Sequence, residues 1–150
     1  MPALVALLQR THDEQRYPVR QEAVTAAWLA PPDELAAWVA VCSDGVLGHV
    51  ALHPVHGESA VLWSQVPGPL VVVSRLFTDG AARGTGVRLL DHAVRAAARL
   101  GRTPVLEVWR ESSALGWYLR RGWRSLGVTP QVWGDQPVLV VALVGRDRPV

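Results

Sequence analysis

The sequence predicts an α/β domain with a mixed sheet and helices packed against it, and three observations carry that prediction. Segments of strand period and helix period alternate along the 150 residues. Glycine and proline punctuate almost every junction between them. An apolar fraction of 49% with 19% charged residues suits a chain that buries a core, whereas a disordered chain would be poorer in the first and richer in the second. The length is that of one domain, 1–150, and no internal repeat, low-complexity tract or interdomain linker divides it.

In chain order, Leu4, Leu7 and Leu8 fall on one face of a helix predicted over Ala3 to Gln9. Tyr17-Pro18 breaks it, and a second helical stretch, Gln21 to Leu29, stops at Pro31-Pro32. Ala36 to Cys42 and Val46 to Leu52 read as a hairpin turned by Ser43-Asp44-Gly45. Ala60 to Trp63 reads as a third strand. Leu70 to Phe77, with its three consecutive valines, is the best candidate for a central strand buried on both faces. After Asp79-Gly80 a glycine-containing turn opens a helix carrying Val87, Leu90, Val94, Ala97 and Leu100 at helical spacing, with Gly101 as its C-terminal cap. A short strand at Val105 to Val108 follows, then a helix capped by Ser112 or Ser113 that ends at Gly122. Strands at Trp123 to Val128 and Val138 to Val144, separated by a loop from Thr129 to Pro137, complete the chain.

Composition also excludes classes of function. The net charge is only +2, and the fifteen cations, all arginine, are spread from Arg10 to Arg148 without a block, so nucleic acid is not an expected partner. The longest apolar run falls far short of the roughly 20 residues a membrane helix needs, so no membrane association is expected either. The lone Cys42 cannot form an internal disulfide, and the N-terminus lacks a secretory pattern, which points to a cytoplasmic location. Oligomeric state, a homodimer included, stays open.

Chemistry enters at Arg83-Gly84-Thr85-Gly86-Val87, which follows the strong strand and begins a helix. Backbone N–H groups there point outward at the positive end of the helix dipole, a place suited to phosphate, and glycines let an anion approach the backbone. Taken alone, such a turn is more often only a turn. The segment lacks the lysine of a P-loop and the third glycine of a dinucleotide fingerprint.

At this point the chain resembles the GNAT superfamily of acyl-CoA-dependent N-acetyltransferases. The family's pyrophosphate loop has the pattern Arg/Gln-x-x-Gly-x-Gly/Ala, and Arg83, Gly86 and Arg88 occupy its defined positions, Arg88 standing where the family keeps a small residue. A second and more specific likeness is Ala114-Leu115-Gly116-Trp117-Tyr118-Leu119-Arg120-Arg121-Gly122-Trp123, which is similar to the family segment Ala-Ile-x-Leu-Tyr-Glu-x-x-Gly-Phe/Trp. The asparagine that commonly precedes that helix falls at Glu111, so its bridging hydrogen bonds are either absent or supplied by Ser112 or Ser113.

The likeness spans about Ala36 to Val144, more loosely the N-terminal helices. It implies a mixed, mostly antiparallel central sheet flanked by helices, and direct acyl transfer from acetyl-CoA as co-substrate to a primary amine. It implies that Leu76, Phe77 and Thr78 contact the pantetheine through backbone groups, that Arg83, Gly84, Thr85, Gly86, Val87 and Arg88 hold the phosphates, and that Tyr118 protonates the departing thiolate. Most members begin with a strand for which Met1-Pro2-Ala3 leaves no room, so either the sheet is one edge strand short or the natural chain starts upstream.

An attacking amine must also lose a proton. Glu107, on the strand beside the expected cofactor cleft, is the leading base. Glu58 and the histidines His49 and His53, which share a strand face, compete with it, and each has the ordinary reading of an ion pair or a packed, hydrogen-bonded side chain. No metal is expected, because His49, His53 and His56 lack acidic or cysteine neighbours at ligand spacing. Of the seven tryptophans, Trp28, Trp63, Trp109 and Trp117 either fill the core or line an acceptor pocket, with core filling favoured for most. The expected activity is therefore N-acetylation of a small-molecule or peptide amine. The alternative is a GNAT-like acyl-CoA-binding protein with weak or no turnover. A structural or nucleotide-binding α/β domain is the third reading.

Overall fold

The computed structural model describes residues 1–80 and 83–145. Its elements in chain order are α1 (Pro2–Gln15), a 3-10 turn (Gln21–Ala23), α2 (Ala26–Leu29), β1 (Ala36–Cys42), β2 (Gly45–His53), α3 (Ala60–Trp63), β3 (Leu70–Thr78), α4 (Thr85–Arg99), β4 (Thr103–Trp109), α5 (Ala114–Arg120), β5 (Arg124–Trp133) and β6 (Gln136–Val144). The six strands form one sheet in the order β1-β2-β3-β4-β6-β5. β3 and β4 run parallel over Leu70–Val72 and Thr103–Val105, whereas β1/β2, β4/β6 and β5/β6 are antiparallel. The mixed, mostly antiparallel sheet expected from the sequence is the one observed.

The chain divides into two compact units. The first joins Met1–His53 to Ser74–Ala93. Its core gathers Leu4, Leu7 and Leu8 of α1, Leu29 of α2 and Phe77 of β3. Helix α1 runs two turns past the predicted Gln9, because Thr11 extends the buried stripe and its hydroxyl lies 2.8 Å from the Leu8 carbonyl. Arg16, at φ 57°, ends it in the left-handed conformation. The helix predicted over Gln21 to Leu29 is two pieces, with the Thr25 hydroxyl accepting the Trp28 N–H at the start of α2.

The second unit joins Pro54–Val73 to the chain from Val94 onward. Trp63, Val72, Val105, Ala142 and Val144 form its core. Two expectations fail here. Ala60–Trp63 is a helix, not a strand: the Trp63 N–H donates to the Ser59 carbonyl, Ser59 and Trp63 are buried together one turn apart, and Val61 is 75% exposed. A strand would have put Val61 and Trp63 on one face. The segment expected to be a loop from Thr129 to Pro137 is almost all strand, with Trp133 opposite Gln136 across the two-residue turn Gly134-Asp135. Both prolines are accommodated, Pro130 on the edge strand β5 and Pro137 at the start of β6, before its pairing with β4 begins at Val140.

Candidate functional site

In the first unit, β3 delivers the chain to the glycine turn. Gly84 has φ 79°, the left-handed region glycine enters without a Cβ penalty, and its carbonyl accepts the Arg88 N–H as the first bond of α4. The first-turn N–H groups of α4 have no partner within a helix. Arg83, Gly84, Val87 and Arg88 are exposed, Gly86 is half-buried and Thr85 is buried. The turn is therefore partly exposed, with exposed arginines on both sides of it in sequence. Val87, counted on the buried face by periodicity, is exposed, as is Leu100, and the buried face consists of Leu89, Leu90, Ala93, Ala96 and Ala97.

The strand end that precedes the turn is held tightly. Phe77 is buried and stacks on His49 with ring centroids 5.4 Å apart, while Leu76 and Thr78 are half-buried. A Cβ on Gly48 would sit 2.8 Å from the Phe77 carbonyl oxygen and 3.1 Å from Thr78 Cγ2, so only glycine lets β2 approach β3 there.

Just before these residues stands one that sequence reasoning missed. Arg75 has φ 51°, a left-handed non-glycine residue inside a strand. Its guanidinium donates to the Trp28 carbonyl at 3.0 Å, to the Ser74 hydroxyl at 2.7 Å and to His53 Nδ1 at 3.0 Å, and lies 4.6 Å from the Trp28 ring centroid. Its carbonyl accepts from His49 Nδ1 at 2.8 Å. The two histidines that share a face of β2 thus converge on Arg75. Because His53 Nδ1 accepts, its Nε2 carries the ring proton, and that atom faces Glu34 Oε1 at 3.7 Å. Burial, opposed by Arg75, raises the Glu34 carboxyl above its usual range. Burial lowers His49, whose hydrogen bond to Arg75 only partly offsets it, and burial pushes the Tyr17 phenol up against the influence of Arg75. A signal was available: an arginine directly after Val71, Val72, Val73 and Ser74 in a buried strand must find partners.

In the second unit, Glu107 emerges on β4 opposite Ala142, with its carboxylate exposed. Its Oε2 accepts the Ser59 hydroxyl at 2.6 Å and the Gln131 amide at 3.1 Å. The same amide lies 3.1 Å from Ser59 Oγ and from Thr129 Oγ1, and Trp133 Nε1 donates to Gln131 Oε1 at 3.0 Å. Glu58, a rival candidate, is exposed; its buried neighbour Ser59 reaches Glu107 instead. Among the described residues no three His, Cys, Asp or Glu side chains cluster to hold a metal.

Tyr118 is buried at 8% exposure on α5, edge-on to Trp117 at 5.0 Å and to Trp123 at 5.8 Å. Arg121 covers the other indole, its Cζ 4.0 Å from the Trp117 centroid. The start of α5 is served by Ser112, whose hydroxyl accepts the Ala114 N–H at 3.1 Å, and Ser113 makes no side-chain cap. Trp63 and Trp123 are core residues, and the other five tryptophans are half-buried, fewer in the core than expected.

Comparison of this architecture with solved structures is decisive for the fold. An aminoglycoside 6'-N-acetyltransferase complexed with coenzyme A superposes with a TM-score of 0.65, 19% identity, and coverage of 95% of this chain and 89% of that one. The ribosomal-protein-S18-alanine N-acetyltransferase of Escherichia coli gives 0.66 with 16% identity and coverage of 95% and 84%. An acyl-CoA N-acyltransferase of Pseudomonas aeruginosa gives 0.58 with 20% identity and coverage of 93% and 87%.

The fold is that of the GNAT acetyltransferases.

No family model matches the chain, and no curated protein matches it in sequence. In this GNAT fold the expected strand before the first helix is not among the six strands of the sheet, which starts in sequence at Ala36. Among the described residues no helix is long and apolar enough to cross a membrane.

Proposed function

We propose that residues 1–150 act as one acyltransferase domain that passes an acetyl group from acetyl-CoA directly to a primary amine. The observation that carries the reading is the strand, Gly84 turn and helix of the first unit: a left-handed glycine at the start of a helix, with the exposed Arg83 and Arg88 near it in sequence, is suited to an anion in a fold whose solved relatives include a coenzyme A complex. Leu76, Phe77 and Thr78 present backbone groups to the pantetheine, and Arg83 to Arg88 hold the phosphates. The amine nitrogen attacks the thioester carbon, Glu107 takes the proton the ammonium must lose, and the C–S bond breaks. Tyr118 then protonates the sulfur, so that the products are the amide and free CoA.

The names of the solved relatives suggest the first panel: an aminoglycoside and an alanine of ribosomal protein S18. Thiol release that requires both acetyl-CoA and an amine supports turnover. A chain that binds acetyl-CoA without thiol release across the panel is the acyl-CoA-binding protein, a reading favoured by the packing of Tyr118 between two indoles. Tyr118→Phe separates the roles, because it keeps the ring and removes the acid. General acid catalysis is typically worth about 10²–10⁴-fold, so single-turnover rates should fall within that range while acetyl-CoA affinity is unchanged. An unaltered rate in a folded variant removes Tyr118 from the chemistry.

A further inference from the structure

We propose that Glu107, Ser59 and Gln131 form the acceptor subsite, in which the free oxygen of the Glu107 carboxylate holds an ammonium group and Ser59 and Gln131 are positioning residues. The inference deepens the acyltransferase reading and rests on it: the acceptor is a cationic amine.

The argument starts from one indole. A tryptophan N–H only donates, so the bond from Trp133 Nε1 fixes Gln131 Oε1 as the end of the amide that faces it. The NH₂ end must then point the other way, at Glu107 Oε2, Ser59 Oγ and Thr129 Oγ1, all within 3.1 Å. The Ser59 hydroxyl accepts a hydrogen bond from the Gln131 amide and donates one to Glu107 at 2.6 Å. Both Ser59 and Gln131 donate to the same carboxylate oxygen. The Glu107 oxygen at the end of this chain acts only as an acceptor.

Burial makes the arrangement stiff. Ser59 is fully buried and Gln131 is 8% exposed, yet Glu107 is exposed. The three come from the segment before α3, from β5 and from β4, and the register gathers them on one sheet face: Glu107 opposite Ala142, Thr129 opposite Val140 and Gln131 opposite Val138. Those β6 partners are aliphatic and buried, which strengthens hydrogen bonds in the network and would penalise any left unmade. A bulge at Gly127 brings β5 against α3, where its Cβ position lies 3.3 Å from Leu62. The result is a carboxylate whose Oε2 is saturated and whose Oε1 makes no hydrogen bond among the described residues. Trp109 and Trp133 share its sheet face, and indole faces also attract cations.

A probe independent of turnover tests this. Spermidine binding is measured by calorimetry on the full chain, with 8-aminooctanoate, which carries its own carboxylate, as control. Spermidine should bind and the control should bind far more weakly. Glu107→Gln should abolish spermidine binding. Ser59→Ala and Gln131→Leu should each weaken it about tenfold, the size of a lost hydrogen bond to a charged group, with unchanged affinity for acetyl-CoA. Equal binding by wild type and Glu107→Gln, or by wild type and folded Ser59→Ala, overturns the subsite. Loss of acetyl-CoA binding or turnover alone would instead count against the acyltransferase reading.

Discussion

His49 shows how a single side chain ties strand geometry to solution behaviour. Buried on β2, it donates from Nδ1 to the Arg75 carbonyl and stacks on Phe77, and burial holds its pKa below the ordinary 6.5. A depressed folded value means that the unfolded chain binds the proton more readily, so the His49 contribution is complete above pH 6.5 and is lost as pH falls through the folded pKa. Glu34 has the opposite sign: its raised pKa gives stability below its ordinary 4.5 that is lost as pH rises through the folded value. His49→Asn keeps a donor near the Nδ1 position without a titrating group. Denaturant unfolding at a series of pH values should show the stability advantage of wild type over this variant shrinking from pH 6.5 downward, and a constant difference would refute the assignment. The residue scale was also the least legible in the sequence. Tyr118 and the glycine turn stand out in the sequence because local spacing marks them as candidates. Ser59 and Gln131 do not, since they matter only through a register that joins segments about 70 residues apart, as the separation of 72 in their hydrogen bond records.

Elements were legible where pattern and length agreed. β1, β2 and β3 lie almost where alternation and valine runs put them. Ala60–Trp63 was misread because four apolar residues have no period, and only the burial of Ser59 with Trp63 against β5 and β6 decides for a helix. β5 extends beyond the predicted Val128 to Trp133, and Pro130 within it is harmless because an edge strand can lack an N–H. α4 supplies a test at this scale. Gly86 lies in its first turn, where an acidic residue complements the dipole and is worth about 0.3–1 kcal/mol. Gly86→Asp should therefore leave the melting temperature of the free protein unchanged or raised, while its charge repels the phosphates and removes the shift caused by acetyl-CoA. A folded variant with the full shift would move the phosphate site elsewhere.

At the scale of the whole molecule, the alternation of strand and helix periods was enough to predict an α/β fold, because each compact unit buries its own apolar set, Leu4, Leu7, Leu8, Leu29 and Phe77 in one and Trp63, Val72, Val105, Ala142 and Val144 in the other. Composition narrows the classes of partner but names no ligand, so the ligand must be tested on the intact chain. A ligand that binds only the native state stabilises it by about 2.7 kcal/mol at a hundred times its dissociation constant. For a domain of this size each kcal/mol moves the melting temperature by about 2–4 °C, so saturating acetyl-CoA should raise it by roughly 5–10 °C. Free CoA should raise it less, because it lacks the acetyl thioester. ATP at the same concentration should do little, since the turn at Gly84 lacks the lysine with which a P-loop grips a triphosphate. A shift with ATP and none with acetyl-CoA would show that the exposed end of α4 serves a different phosphate.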